Sequence, residues 1–131
     1  MTVLLREDHI LEDLKSHLAS VRSEILTLHE GGEDPYRVLL FQTEAIDTVL
    51  KALYRLAGEM NRKGGDNHVE AVLVSQGGYG RRELCLYSDI DLLFLYDGKA
   101  DRFIKFLTEK VLQNLWDAGL QVGFATRTVR D

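Results

Sequence analysis

The 131-residue sequence lacks the features that define several large classes of protein. Cys85 is its single cysteine, so one chain forms neither a disulfide framework nor a cysteine zinc site. It has no run of about eighteen apolar residues, which excludes an ordinary membrane-spanning helix. The N-terminus, MTVLLREDHILEDLK, is acidic and lacks the basic flank of a signal peptide. We therefore expect a cytoplasmic protein without membrane partners.

Basic residues are also fewer than acidic residues. The chain has 16 Lys and Arg residues against 21 Asp and Glu residues, a net charge of −5. A protein that grips the backbone of a nucleic acid needs a clustered basic surface, so nucleic acid is not an expected partner. A nucleoside triphosphate remains possible, because metal ions and a few local arginines can neutralise its phosphates.

The first 66 residues contain two helical patterns. Apolar residues spaced three, four or seven apart predict a first helix, which ends at Gly31-Gly32. A second helix begins with Asp34 as N-cap and Pro35 in the first turn, and ends at Gly64-Gly65. An antiparallel helical hairpin is the simplest arrangement. The predicted stripes are Leu4, Leu11, Leu14, Leu18, Val21, Ile25 and Leu28, then Leu39, Ile46, Val49, Leu53, Leu56 and Met60.

From residue 67 onward the pattern changes to that of strands. Short apolar segments predict strands at Val69–Ser75, Asp89–Tyr96 and Leu120–Val129, with a helix at Asp101–Ala118 before the third strand. The run Leu92–Leu95 has no polar alternation, which predicts burial on both faces of the second strand. The sequence thus predicts an α+β protein, with a helical hairpin (1–66) packed on a small mixed β-sheet (67–131) in one compact domain.

Two aspartates open the second predicted strand. Asp89 and Asp91 alternate with Ile90, so both should project from one face with Cα atoms roughly 6.5–7 Å apart. Carboxylates at that distance repel unless a cation lies between them. The alternative, in which one Asp caps the strand and the other is solvated, leaves two unpaired charges at a strand predicted to be buried. A divalent metal site is therefore favoured.

A glycine pair, Gly77-Gly78, follows the first strand and suits phosphate binding through backbone N–H groups, although such pairs are most often simple turns. An apolar strand, Gly-Gly, ten intervening residues and Asp-Ile-Asp together resemble the signature of the DNA polymerase β-like nucleotidyltransferase superfamily. More closely, GGYGRRELCLYSDIDLLFLYD and LWDAGLQVGFATRTVRD, within residues 69–131, resemble the N-terminal catalytic domain of bacterial protein-PII uridylyltransferase/uridylyl-removing enzymes.

This resemblance implies a nucleotidyltransferase fold that transfers UMP from UTP to a tyrosine hydroxyl of a PII-type nitrogen-regulatory protein. It implies Mg²⁺ or Mn²⁺ held by Asp89 and Asp91, with two ions roughly 3.5–4 Å apart that activate the hydroxyl and neutralise the departing pyrophosphate. The residues expected to contact the nucleotide phosphates are Gly77, Gly78, Arg81, Ser88 and Arg127.

One part of the superfamily's site has no counterpart in the sequence. Members commonly carry a further carboxylate on a neighbouring strand, where this chain has Gly123 and Phe124. Either that acid belongs to sequence beyond this chain, or the second metal is held weakly. The chain also lacks the adjacent His-Asp pair of the family's hydrolase domain, so we expect part of a longer enzyme with weak or no activity alone. Two alternatives remain: a stand-alone nucleotidyltransferase that transfers AMP, and a catalytically incomplete nucleotide-binding or interaction module.

Overall fold

The computed structural model of this chain describes residues 3–63, 71–76, 90–98 and 101–129. A 3-10 turn at Glu7–His9 precedes three helices and three strands. The elements are α1 (Ile10–Glu30), α2 (Pro35–Lys63), β1 (Ala71–Gln76), β2 (Ile90–Tyr96), α3 (Asp101–Asp117) and β3 (Val122–Thr128). This content confirms the predicted α+β class.

Helix α1 begins later than its apolar stripe predicts. The prediction that Leu4 belongs to the stripe is wrong, because Leu4 precedes the helix and is 81% exposed. The chain before α1 is instead held by Asp13, which accepts a hydrogen bond from the Arg6 backbone N–H at 2.8 Å and forms an ion pair with the Arg6 guanidinium at 2.7 Å. The stripe is correct within the helix itself, whose buried residues are Leu14, Leu18, Val21 and Ile25.

Helix α2 begins where the sequence predicts. The Asp34 side chain accepts a hydrogen bond from the Tyr36 backbone N–H at 2.9 Å, which satisfies one of the free N–H groups of the first turn. Most of the predicted stripe is buried, including Ile46, Val49 and Leu53. The predicted end at Gly64-Gly65 lies outside the described residues. Helices α1 and α2 contact each other along the predicted hairpin.

The three strands form a mixed sheet in the order β1-β2-β3. β1 is antiparallel to β2, whereas β3 is parallel to β2. A parallel pair needs a crossover connection, and α3 provides it between β2 and β3. The register places Gln76, Asp91 and Gly123 side by side, with Asp91 in the middle. This row lies at the end of the sheet from which the chain leaves β1 and enters β2.

The prediction that both faces of β2 are buried is wrong. Burial alternates along the strand: Ile90, Leu92 and Phe94 are at most 2% exposed, whereas Asp91 is exposed and Leu93 is half-buried. The reason is that the described helices share their core with only one face of the sheet. We call the opposite face, which carries Asp91, Leu93 and Leu95, the open face.

A single cluster of buried side chains joins this sheet to all three helices. It includes Leu14 and Leu18 from α1, Val49 and Leu53 from α2, and residues of β2 and α3. The boundary predicted between residues 66 and 67 lies outside the described residues, so the division into two segments remains a prediction. No described helix combines the length and apolar character that crossing a bilayer requires.

Candidate active site

Asp89 and Asp91 are the predicted catalytic residues, and the structure describes the second of them, Asp91. It is the second residue of β2, the central strand, and alternation along the strand directs its side chain to the open face. Its neighbours in the sheet are Gln76, the last residue of β1, and Gly123, the second residue of β3. The carboxylate is therefore exposed to solvent at the centre of the sheet, close to where β1 ends and the glycine pair follows in sequence.

Gly123 leaves the space beside this carboxylate clear. A Cβ atom built on Gly123 would lie 3.1 Å from Asp91 Oδ1, closer than nine in ten real Cβ contacts. The two residues are direct partners in the parallel pair, so their side-chain positions fall on the same face. Glycine at this position allows the Asp91 side chain to lean over β3.

A small concavity surrounds Asp91 on the open face. Its volume is about 240 Å³, enough to hold several water molecules at about 30 Å³ each. Besides Asp91, it is lined by Gln76, Leu92, Gly123, Phe124 and Ala125. Carboxylate and amide oxygens are the ligand types that Mg²⁺ accepts, together with retained waters and substrate phosphates. The residues present therefore fit a hydrated divalent ion.

The exposure of Asp91 changes the electrostatic argument for a metal. Among the residues that the structure describes, its carboxylate has no hydrogen-bond or ion-pair partner. A solvated carboxylate does not pay the desolvation cost of a buried charge, so the fold does not demand a cation there. No described residue engages either oxygen, so both could coordinate an ion that arrives with its ligand.

The described residues do not form a metal site by themselves. Within residues 3–63, 71–76, 90–98 and 101–129, no three His, Cys, Asp or Glu side chains come together as a metal-binding group. Mg²⁺ in nucleotide sites is usually bound by one or two carboxylates, with phosphates and water completing its shell. Asp91 with Asp89 would meet that requirement once a triphosphate is bound.

Arg127 lies on the open face but away from Asp91. It is paired with Leu95, four residues further along the strands than the pair of Asp91 and Gly123, which corresponds to roughly 13 Å along the sheet. Its guanidinium donates a hydrogen bond to the Thr126 carbonyl at 2.8 Å. The structure does not bring these two predicted site residues together, and the phosphate contact of Arg127 remains a prediction.

The other predicted site residues lie outside the described part of the chain. These are Gly77, Gly78, Arg81, Ser88 and Asp89. The expectation that Asp89 and Asp91 project from the same face therefore also remains a prediction. What the structure contributes is the position of the second aspartate, its exposure and its neighbours.

Gly123 and Gln76 are site residues that the sequence reasoning missed. In the sequence, Gly123 stands out only as the place where an expected acid is lacking. The available signal was a glycine inside a segment of strand-forming residues, which often marks a close approach of another group. Gln76 gave no signal, because its place beside Asp91 depends on the antiparallel register of β1 and β2.

The structure thus places an exposed aspartate at the start of the central strand, beside the strand that α3 joins to it. The chain belongs to the family described as "Putative nucleotidyltransferase DUF294", whose family model matches residues 19–126. This match includes α2, α3, β1 and β2, the second half of α1 and most of β3. It confirms the nucleotidyltransferase class predicted from the glycine pair and the two aspartates.

Curated relatives show which nucleotidyltransferases the chain is similar to. The chain is 35% identical over 128 residues to a bifunctional uridylyltransferase/uridylyl-removing enzyme of Gluconobacter oxydans, covering 95% of this chain and 13% of the relative. It is 33% identical over 117 residues to the enzyme of that name from Stutzerimonas stutzeri, covering 89% and 12%. The Azospirillum brasilense enzyme is 51% identical over 59 residues, covering 45% and 6%.

These likenesses confirm the resemblance drawn from residues 69–131 and extend it over the two N-terminal helices. The chain spans about an eighth of the length of the first two relatives. A search of the solved structures gave no match.

Proposed function

We propose that this chain is the nucleotide-binding catalytic part of a uridylyltransferase, which transfers UMP from UTP to a tyrosine hydroxyl of a PII-type signal protein. The observation that carries the proposal is the Asp91 carboxylate, exposed on the open face of the central strand over Gly123. We propose the uridylyl group as the one transferred because the relatives are named uridylyltransferases. PII as acceptor comes from the family that residues 77–97 and 115–131 resemble.

The described residues leave the open face uncovered by any helix, which we propose accommodates both substrates. The described helices pack on the other face, so a triphosphate can reach Asp91 without displacing the core. The half-buried side chains of Leu93 and Leu95 continue the same face beyond Asp91. They form an apolar surface on which a nucleoside or an acceptor tyrosine can pack.

The reaction joins the acceptor oxygen to the α-phosphorus of UTP. The bond between that phosphorus and the oxygen bridging to the β-phosphate breaks, pyrophosphate leaves, and the hydroxyl proton is released. Asp89 and Asp91 would hold Mg²⁺ or Mn²⁺, which when bound lowers the pKa of the hydroxyl and neutralises charge on pyrophosphate. The chain's own groups contribute mainly by positioning: Gly77 and Gly78 through backbone N–H groups, and Asp91 through its fixed place on a rigid strand.

The test is binding of the Mn²⁺–UTP complex to the chain, measured by equilibrium dialysis with labelled UTP, because UTP by itself already removes Mn²⁺ from the pool of free ions. The unchanged chain should bind the complex. The variant Asp89→Asn with Asp91→Asn should lose that binding and keep its fold, because the exposed Asp91 carboxylate makes no described contact that the amide would disturb. Removing the repulsion between the two acids should leave stability equal or slightly higher.

A charge-matched control separates the site from total charge. Glu24→Gln with Glu109→Gln removes two exposed acids from α1 and α3, on the side of the sheet opposite to Asp91. This control should bind Mn²⁺ and UTP as the unchanged chain does. If the aspartate variant binds normally, or unfolds while the control stays folded, Asp89 and Asp91 are not the metal ligands and the proposal is wrong.

Transfer identifies the nucleotide and the acceptor. Labelled UTP and ATP are compared as donors to a PII-type protein and to its variant with phenylalanine at the acceptor tyrosine. Transfer from UTP to the tyrosine alone supports the proposal. Transfer from ATP would favour a stand-alone AMP transferase instead.

A nucleotide-binding module without transfer is the second candidate. The observation in its favour is β3 itself: Val122–Thr128 contains no acid, and the residue beside Asp91 is glycine. Binding of UTP with Mn²⁺ but no transfer, even when the downstream sequence of a relative is joined to the chain, would support this reading over the first.

A further inference from the structure

We infer that Gly123 is a positioning residue of the proposed active site, whose missing side chain sets where the Asp91 carboxylate points. This inference rests on the proposed function, because it concerns how the metal-binding carboxylate is held. In this scheme Gly123 supplies no ligand atom to the metal or the substrate. It acts by leaving the space that Asp91 occupies.

The register and one distance support the inference. Gly123 is the parallel-strand partner of Asp91, and a methyl group at Gly123 would approach Asp91 Oδ1 to 3.1 Å. Ordinary van der Waals contacts begin at about 3.4 Å, so one of the two groups would have to move. The backbone of β3 is held in the sheet, whereas Oδ1 is at the free end of a side chain. The carboxylate is therefore the group that moves.

The residues of β3 indicate that Gly123 does not stabilise the strand itself. Glycine in a strand interior weakens it, because it adds backbone entropy to the unfolded chain and supplies no side chain to pack. Val122 and Phe124, which flank Gly123 in the sequence, are both strong strand formers. Gly123 does not adopt a positive φ that would require glycine. What it provides is the clearance beside Asp91 and part of the wall of the concavity.

Stability and metal binding should therefore respond in opposite directions to a side chain at position 123. Alanine and then valine favour the strand increasingly, so the thermal midpoint should stay the same or rise. Each added methyl group pushes the carboxylate further from its place over β3, so Mn²⁺ affinity in the presence of UTP should fall. A residue with a purely structural role would lower both quantities together.

The experiment compares Gly123→Ala and Gly123→Val with Gly98→Ala. Gly98 lies in the turn after β2 and is the matched control, since a Cβ there meets nothing within 4 Å and its φ is not positive. Gly123→Ala should weaken Mn²⁺ binding a few-fold, because Oδ1 must move by a few tenths of an ångström. Gly123→Val should weaken it further, and Gly98→Ala should leave it unchanged.

The Asp91→Asn variant separates failure of this inference from failure of the proposed function. If Asp91→Asn binds Mn²⁺ and UTP normally, Asp91 is not a ligand, and both the function and the role of Gly123 are wrong. If Asp91→Asn loses binding while Gly123→Ala and Gly123→Val retain it, the function stands and the positioning role is refuted. Loss of thermal stability in parallel with affinity at position 123 would also refute it, in favour of a structural role.

Discussion

The one-sided burial of the sheet can be tested with two neighbouring leucines. Leu92 is 1% exposed and faces the helices, whereas Leu93 is half-buried on the open face. Truncation to alanine removes three carbon atoms in each case, at about 0.8 kcal/mol per buried CH₂. For Leu92 the cavity left among rigid neighbours adds to this loss, so the free energy of unfolding should fall by about 3–5 kcal/mol. For Leu93 water fills the space, and the loss should be about 1–2 kcal/mol.

Urea denaturation followed by circular dichroism measures this difference. With a slope of about 2 kcal/mol per M, typical of small proteins, a gap of about 2 kcal/mol separates the two midpoints by about 1 M. The pair controls for residue type, strand and sequence neighbourhood, so only the face differs. Equal destabilisation by Leu92→Ala and Leu93→Ala would show that the open face is covered in solution. The approach of substrate to Asp91 over that face would then have to be reconsidered.

Two further predictions concern contacts outside the site. The Tyr54 hydroxyl donates a hydrogen bond to the Ala71 carbonyl, which links α2 to the start of β1; Tyr54→Phe should lower the free energy of unfolding by about 1 kcal/mol. The exposed Tyr36 is its control, and an equal effect of Tyr36→Phe would contradict the role of the bond. The hydrogen bonds and charge of Arg6 lower the pKa of Asp13 to about 2 from its ordinary 3.8. Because the folded-state pKa is the lower one, this stabilisation is complete above about pH 5 and is lost progressively as the pH falls through about 4 and below 2. Nuclear magnetic resonance titration should show the Asp13 pKa returning towards 3.8 in Arg6→Gln, and an unchanged pKa would refute the assignment.

The features that sequence predicted correctly are those with local causes. The start of α2 follows from Asp34 and Pro35, because an N-cap and the first helical turn involve only adjacent residues. The strand Ile90–Tyr96 follows from a short apolar segment bounded by charged residues. Both can be inferred without knowing what packs against them.

The features that sequence predicted wrongly or missed depend on distant residues. Leu4 fits the helical stripe by spacing, yet the Arg6–Asp13 contact turns the chain before the helix begins. The apolar segment Leu92–Leu95 has the same sequence whether one or both faces of the strand are covered. The sequence alone therefore does not distinguish the two cases. The pairing of Asp91 with Gly123 depends on how β3 aligns after the α3 crossover, which no local pattern specifies.

The exposure of Asp91 also decides how metal binding relates to folding. An acid pair buried in the sheet would need a cation to offset desolvation and repulsion, and the metal would then be part of the folding free energy. Asp91 instead lies in solvent, while the core formed by Leu92, Phe94 and the helices is complete without it. Within the described residues, the core is therefore formed without a contribution from an ion. Under the proposed function, a surface carboxylate on the central strand, with a cleared space beside it, would suit an ion that arrives and leaves with each nucleotide.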